Sequence, residues 1–399
     1  MADRQHRRGM VKQYVVDGCA QPGRRVLVAT EAEEAGVHGK VASCDVPVVS
    51  YEDLIAKKDL GDKIEAAFGY DGMGILAVSG VPDLDPKRIT LLPLAFKFAN
   101  LPEKVKDQYS LKEAYYSFGW SHGKENLQGQ PDFSKGSYYN NPECNDLTNG
   151  NQELISRHPS FYHPNIWPKE VPELESAFMT LGQLIVDTGM LVALQCDRFV
   201  ESKSAEYEKG KLHRIISTGR CAKARLLHYF QLSEADIARQ QAATSLEDSF
   251  TWCGWHNDHG ALTGLVQAIF TDKDGNVIPN PDPNAGLYVK NRRGEIIKAN
   301  IPPGHLIYQI GETSQILSGG VLQATPHAVR GPQVTGVNRE TLAVFMQPLP
   351  DEKMQIPSGD PEVAGRTENL PKGVPPLLSR WNNTMNYDQF TEATMAAYY

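Results

Sequence analysis

The sequence predicts an α+β fold with a mainly β core, a β-sandwich or jelly roll preceded by helices. Two observations carry this. The first half alternates helical periodicity with one short apolar strand, whereas from Leu226 onward short apolar segments alternate with Gly, Pro and Asn clusters. The 399-residue chain is 41% hydrophobic and 22% charged, enough apolar material for a packed core and unlike a disordered composition.

Composition also excludes classes of function. The formal net charge is -8 and no basic stripe extends beyond a short pair such as Arg7–Arg8, which is poor equipment for phosphate contacts. No nucleic-acid partner is expected. No uninterrupted apolar run approaches the ~18 residues of a membrane span, so no membrane partner is expected either. The six cysteines, Cys19, Cys44, Cys144, Cys196, Cys221 and Cys253, form no CxxC pair. That pattern fits a reducing compartment better than a disulfide framework. The first residues lack the apolar core of a secretory signal, and the Asn382-Asn383-Thr384 sequon is therefore read as chance. The expectation is a soluble, monomeric, cytoplasmic protein acting on a small molecule.

Taken in order, residues 1–45 read as an N-terminal arm with isolated apolar stretches such as Val26-Leu27-Val28. Residues 46–200 read as an α/β and helical region. Within it, Leu54, Ile64 and Phe68 recur among charges as a helix would place them, and Ile75–Ser79 is short, apolar and closed by Gly80-Val81-Pro82 as a buried strand. A second helical segment runs from about Asp85 to Val105. Residues 110–170, rich in Tyr, Gly, Asn, Pro and His, show weak periodicity and read as long loops. The best helix spans Glu173 to Phe199, with Leu174, Phe178, Leu181, Ile185, Leu191 and Leu194 on one apolar face. Residues 201–350 hold the strands, and 351–399 form an extension with a closing helix. Gly72-Met73-Gly74-Ile75-Leu76-Ala77 fits a loose dinucleotide-binding pattern, but a helix precedes the glycines and a strand follows, the reverse of what the pyrophosphate needs.

The segment Trp255-His256-Asn257-Asp258 can carry chemistry. On a strand, His256 and Asp258 project to one face while His259 points to the other. An imidazole beside a carboxylate offers two ligands suited to divalent iron, and a distant histidine would complete a facial triad with open coordination positions. His327, His305 and His259 all lie downstream of Asp258. His327 is the natural choice, because Arg339 and Thr341 follow it with i,i+2 geometry and could clamp a dicarboxylate. His305 reads as structural, His259 and His228 as groups near the ligands or on the surface rather than ligands themselves, and Cys253 as buried and inert.

These residues stand in a longer pattern. His256-Asn257-Asp258-His259-Gly260 followed by Ala261–Gln267 resembles the HxDxGxLTxLxQ run of the plant-type iron(II)/2-oxoglutarate-dependent oxygenases, the isopenicillin N synthase-like family. The segment 285–320 is similar to the family's strand–PPG–strand–NIGD passage, 324–331 to its STxHRV, and 338–348 to its RxSxxxFxxP. Upstream, 46–54, 74–82 and 92–106 resemble its N-terminal segments.

The resemblance implies a double-stranded β-helix of jelly-roll, cupin-like type, with an N-terminal α/β segment and flanking helices. It implies Fe(II) on His256, Asp258 and His327, 2-oxoglutarate as co-substrate on Arg339, Thr341 and Tyr229, and dioxygen as oxidant. Thr341 stands where the family has Ser, and Leu227 where it has Asn. The implied reaction is hydroxylation, desaturation or ring closure of a small organic molecule, with release of succinate and CO2. A 2-oxoglutarate-independent iron oxidase and a catalytically silent binding protein of the same fold are the alternatives.

Overall fold

Apolar side chains that alternate in direction along a strand can serve two cores at once, and the central strands here do so. The structure, a computed structural model, describes residues 42–398 except for 125, 128 and 129. Of the expected arm, residues 1–41 lie outside the described part. Its last residues are not arm-like: Ser43–Asp45 pairs in parallel with Ile296–Asn300.

Two sheets form the core. The smaller runs Ser43–Asp45, Ile296–Asn300, Gly286–Lys290, His327–Arg330, Cys253–His256. The larger runs Val48–Ser50, Ile75–Ser79, Leu306–Ile310, Leu262–Val266, Asn338–Met346, Lys223–Tyr229, Lys135–Asn140, Gly119–His122. From Cys253 onward the chain passes repeatedly from one sheet to the other, as in a double-stranded β-helix. It first crosses over between Cys253–His256 and Leu262–Val266, and that crossing carries the candidate site.

On the larger sheet the outer residues Ala224, Leu226, Leu262, Leu306, Tyr308, Leu342 and Val344 join the helices in the main core. The inner residues Leu227, Tyr229 and Ala343 pack instead with Trp252 and Val329 on the smaller-sheet side. The strand Asn338–Met346 is central to this division. Its outward Glu340, fully buried, pairs with His228 Nδ1 at 3.0 Å and accepts from Thr271 Oγ1 at 3.0 Å.

The long helix is Glu173–Lys203, four residues longer than expected. Leu174, Phe178, Leu181 and Ile185 are buried as the periodicity demands, but Leu191 and Leu194 are only half-buried. Beyond Gly189 the contact face turns to Val192, Ala193, Cys196 and Val200, because the helix also packs on the helix Lys211–Gly219. This helix corrects the reading that no segment is apolar enough for a membrane. It is long and apolar enough by length and composition, and half of its most apolar window is buried inside the protein.

The stretch 110–170 is a second correction. It supplies the strands Gly119–His122 and Lys135–Asn140, which extend the larger sheet, and buries Phe118, Trp120 and Tyr138. Its polar, Gly-rich text hid them, because one face of Lys135–Asn140 carries Lys135, Ser137 and Tyr139. The tail forms a helix only over Tyr387–Tyr398.

The long helix meets the sheet where side chains vanish. A Cβ on Gly264 would stand 2.2 Å from Ile185 Cγ2 and 3.1 Å from Tyr308 Cε1. Gly264→Ala is therefore expected to destabilise the fold by ~1–3 kcal/mol through overpacking. Urea unfolding followed by circular dichroism measures it, and an unchanged midpoint would show that the helix has slack at this crossing.

Candidate metal centre

His256 ends the strand Cys253–His256 and His327 begins the neighbouring His327–Arg330, so the two face each other directly in register. Their rings lie 4.2 Å apart between centroids at 58°. Asp258 lies two residues beyond the end of its strand, in the crossover loop. This corrects the simple strand alternation expected for the pair: His256 and Asp258 converge because the chain turns between the sheets.

The Asp258 carboxylate divides its oxygens. Oδ2 accepts from Thr263 Oγ1 at 2.7 Å, which fastens the loop to the larger sheet. Oδ1 stands 3.9 Å from His256 Nε2 and 3.9 Å from His327 Nε2. All three ligand atoms lie within 4.8 Å of one another. Ligands that share one face of an ion at bonds of about 2.1 Å lie roughly 3 Å apart, so the three atoms would draw in by about 1 Å to hold it.

The tautomers suit coordination. His256 Nδ1 faces the Gly254 carbonyl at 2.9 Å, and His327 Nδ1 faces the Thr325 carbonyl at 3.3 Å. Each Nδ1–H can donate to its carbonyl, which directs the Nε2 lone pair at the shared centre. Burial and the adjacent His256 push His327 down to about 4, so it is neutral near pH 7. Burial works against the Asp258 charge, yet the imidazoles of His327 and His256 and the Thr263 hydroxyl hold its carboxyl below the ordinary value. Burial likewise opposes charge on His256, but Cys253 and Asp258 raise it to about 9, so an incoming cation displaces a proton there.

The competing histidines are elsewhere. His259 stacks on Tyr387 at 5.9 Å and 16°, and burial drives it down to about 4. His305 faces the Pro303 carbonyl at 2.8 Å. Among the described residues, only His256, Asp258 and His327 gather as a metal-capable group.

Arg339, Thr341 and Tyr229 share the inner face of the larger sheet. Arg339 pairs in register with Tyr229 and Thr341 with Leu227. The Arg339 guanidinium lies over the Tyr229 ring at 5.0 Å, and its Nη1 is buried without a partner. A buried guanidinium nitrogen left unpaired is costly, and an arriving carboxylate satisfies it. Thr341 differs from the expected clamp in one respect. Its hydroxyl donates its only hydrogen to the Val266 carbonyl at 3.0 Å, so it must rotate to donate elsewhere. Leu227, opposite it, brings no polar atom.

Sequence reasoning passed over Thr263, which holds Asp258, and over Lys223 and Arg225, which share the face of Tyr229. A signal for the latter two existed, since i,i+2 periodicity through Lys223–Tyr229 places all of them together.

Comparison with known proteins agrees with this geometry. A family described as the N-terminal part of the non-haem dioxygenase in morphine synthesis matches residues 46–170, and the 2OG-Fe(II) oxygenase superfamily matches residues 255–348. Scopoletin 8-hydroxylase of Arabidopsis thaliana is 37% identical over 103 residues, 25% of this chain and 24% of its own length. Jasmonate-induced oxygenase 4 of the same plant is 27% identical over 195 residues, 48% of this chain and 46% of its own. The chain thus spans between about a quarter and a half of these curated relatives. The fold is shared more widely. A Neurospora crassa protein in complex with alpha-KG and 5-formyluracil superposes with a TM-score of 0.62 at 17% identity, covering 92% of this chain and 100% of that one. A 2OG-Fe(II) oxygenase family protein from Caulobacter crescentus gives 0.59 at 21%, covering 87% and 97%.

The third ligand can be tested directly. His327→Gln is expected to lose bound metal, whereas His259→Gln and His305→Gln keep it at about one ion per chain, the content a single triad implies. Elemental analysis after loading with Fe(II) or Mn(II), with circular dichroism as the folding control, reads the result. Loss in His305→Gln with retention in His327→Gln would reverse the assignment.

Proposed function

Because the chain belongs to the iron(II)- and 2-oxoglutarate-dependent oxygenases, we propose that it oxidises a small organic molecule, with 2-oxoglutarate and dioxygen as co-substrates and succinate and CO2 as co-products. The observation that carries this reading is the unpaired, buried Arg339 Nη1 on the same inner face that leads to the His256–Asp258–His327 cluster. A metal site alone would suit many chemistries. A metal site joined to a buried cation waiting for a carboxylate suits a dicarboxylic acid that reaches between them.

Each residue then has a task. His256, Asp258 and His327 would hold the iron, with Nδ1–carbonyl contacts and the Thr263 hydroxyl fixing how the three present their atoms. Arg339 would take the distal carboxylate of 2-oxoglutarate, and Tyr229 beneath it keeps the guanidinium plane in place. Leu227, Val329 and Ala343, buried with Tyr229 in one apolar cluster, would keep water from the guanidinium. Iron bound here supplies the activation of dioxygen by oxidative decarboxylation of the co-substrate. The protein holds the substrate C–H bond beside that centre. A monomeric, cytoplasmic setting accords with the composition and with the five described cysteines, all of them free.

Two measurements test the proposal. Succinate formation that depends on Fe(II) and 2-oxoglutarate is expected, and substrate oxidation without succinate would replace this reading by that of a 2-oxoglutarate-independent oxidase. Arg339→Ala is expected to raise the 2-oxoglutarate requirement tens-fold, in line with the ~1.5–3 kcal/mol of a charge-assisted contact. Arg339→Lys should recover only part, since an ammonium lacks the planar fork. An unchanged requirement in Arg339→Ala would remove the clamp.

A further inference from the structure

We infer that the substrate of this enzyme carries a carboxylate on an apolar body, received by Lys223 at the metal end of the barrel. This rests on the oxygenase reading above and adds the substrate class to it.

The register of the larger sheet locates Lys223. The inner face of Lys223–Tyr229 presents Lys223, Arg225, Leu227 and Tyr229 in succession. Leu227 and Tyr229 stand opposite Thr341 and Arg339, where the co-substrate's far end belongs. Lys223 stands at the other end, opposite Phe345, and Phe345 stands opposite Thr263, whose hydroxyl holds Asp258. With strands about 4.8 Å apart, Lys223 begins two strands, roughly 10 Å, from the residue that anchors the metal ligand. Lys223 thus starts from the end of the sheet that carries Thr263, not from the end that carries Arg339.

The surroundings of Lys223 lack what its charge requires. Its Nζ donates to the Ser160 carbonyl and lies 4.0 Å from the centre of the buried Phe118 ring. No carboxylate pairs with it among the described residues. Glu143, the acid beside the start of this strand, accepts from the Ala222 N–H at 3.4 Å instead. Burial lowers Lys223 to about 7, and the only opposing influence is the Cys221 sulfur. Lys223 is half-buried, and an ammonium drawn against one carbonyl and one aromatic face without a counter-ion carries a desolvation cost. An incoming carboxylate removes that cost.

Two further features shape the ligand. Arg225, next along the same face, lies over the Tyr139 ring at 5.1 Å and donates to Ser137 Oγ, which adds to the positive potential at this end of the sheet. Phe118 and Phe345 flank Lys223 with apolar surface. A carboxylate attached to an aromatic or aliphatic body meets both requirements, and a polyanion or sugar does not.

The test uses the full chain loaded with Mn(II) and saturating 2-oxoglutarate, so that Arg339 is occupied. Phenylacetate and hexanoate are titrated against phenylacetamide and hexanamide by thermal shift and calorimetry. The carboxylates should raise the unfolding midpoint and the amides should not. Lys223→Met, and Lys223→Gln as a second variant, should weaken the carboxylates about ten-fold or more, while Mn(II) and 2-oxoglutarate bind as in the wild type. Amides equal to carboxylates, no response to either, or a Lys223→Met response like that of the wild type overturns the inference. The two levels separate cleanly. If the wild type fails to bind Mn(II) or 2-oxoglutarate, the oxygenase reading itself falls. If both bind and no carboxylate preference appears, only the substrate class falls.

Discussion

The bond from Thr263 Oγ1 to Asp258 Oδ2, 2.7 Å long, fastens the crossover between the two sheets to the larger sheet at the point where the chemistry would occur. His256 and His327 are neighbours by ordinary strand pairing in the smaller sheet, and need nothing more to stay together. Asp258 has no such support, because it sits in the loop that leaves that sheet. Without the Thr263 hydroxyl its carboxylate could turn away from the imidazoles, and three candidate ligands would be two. The geometry of the centre therefore depends on the spacing of the sheets, and the sheet spacing depends on how the barrel interior is filled.

The same loop is held from its other side. Asn257, between His256 and Asp258, donates from its side chain to Glu312 Oε1 at 3.0 Å, and its backbone N–H donates to the Tyr398 hydroxyl at 3.1 Å. Glu312 also receives Arg380, which reaches Thr394 at 2.9 Å. Glu312 and Arg380 are almost wholly buried, where removal of one member of an ion pair costs far more than the pair contributes net. The helix Tyr387–Tyr398 is thus part of the scaffold of the metal loop. Closing the barrel and orienting the ligands are one structural problem.

Strand Asn338–Met346 shows how a single segment serves stability and function together. Glu340 and His228 face outward into the helical layer as a buried pair, while Arg339 and Thr341 face inward towards the site. A one-residue slip would exchange these sets, placing the glutamate in the barrel and the arginine among the helices. The outer pair and the inner clamp therefore specify the same register. The inner face that results carries Arg339 at one end and Lys223 at the other, with Arg225, Leu227, Thr341 and Ala343 between them.

Much of this was legible in the residues themselves. Period-two alternation marked the strands after Leu226, and the spacing of His256, Asp258, His327, Arg339 and Thr341 marked the candidate site, because ligand chemistry restricts residue type at each place. Periodicity also marked the long helix, since burial on one face demands it. Other features were settled only by tertiary structure. The strands within 110–170 could not be read from their polar inner residues, which face a functional interior rather than an apolar core. That Asp258 lies beyond its strand, that Thr263 holds it, and that the Thr341 hydroxyl is occupied by Val266 depend on which segments meet across the sheets. Local pattern encodes which way a side chain points along its own strand. The partner it meets there is set by long-range pairing, to which residues far apart in the chain contribute equally.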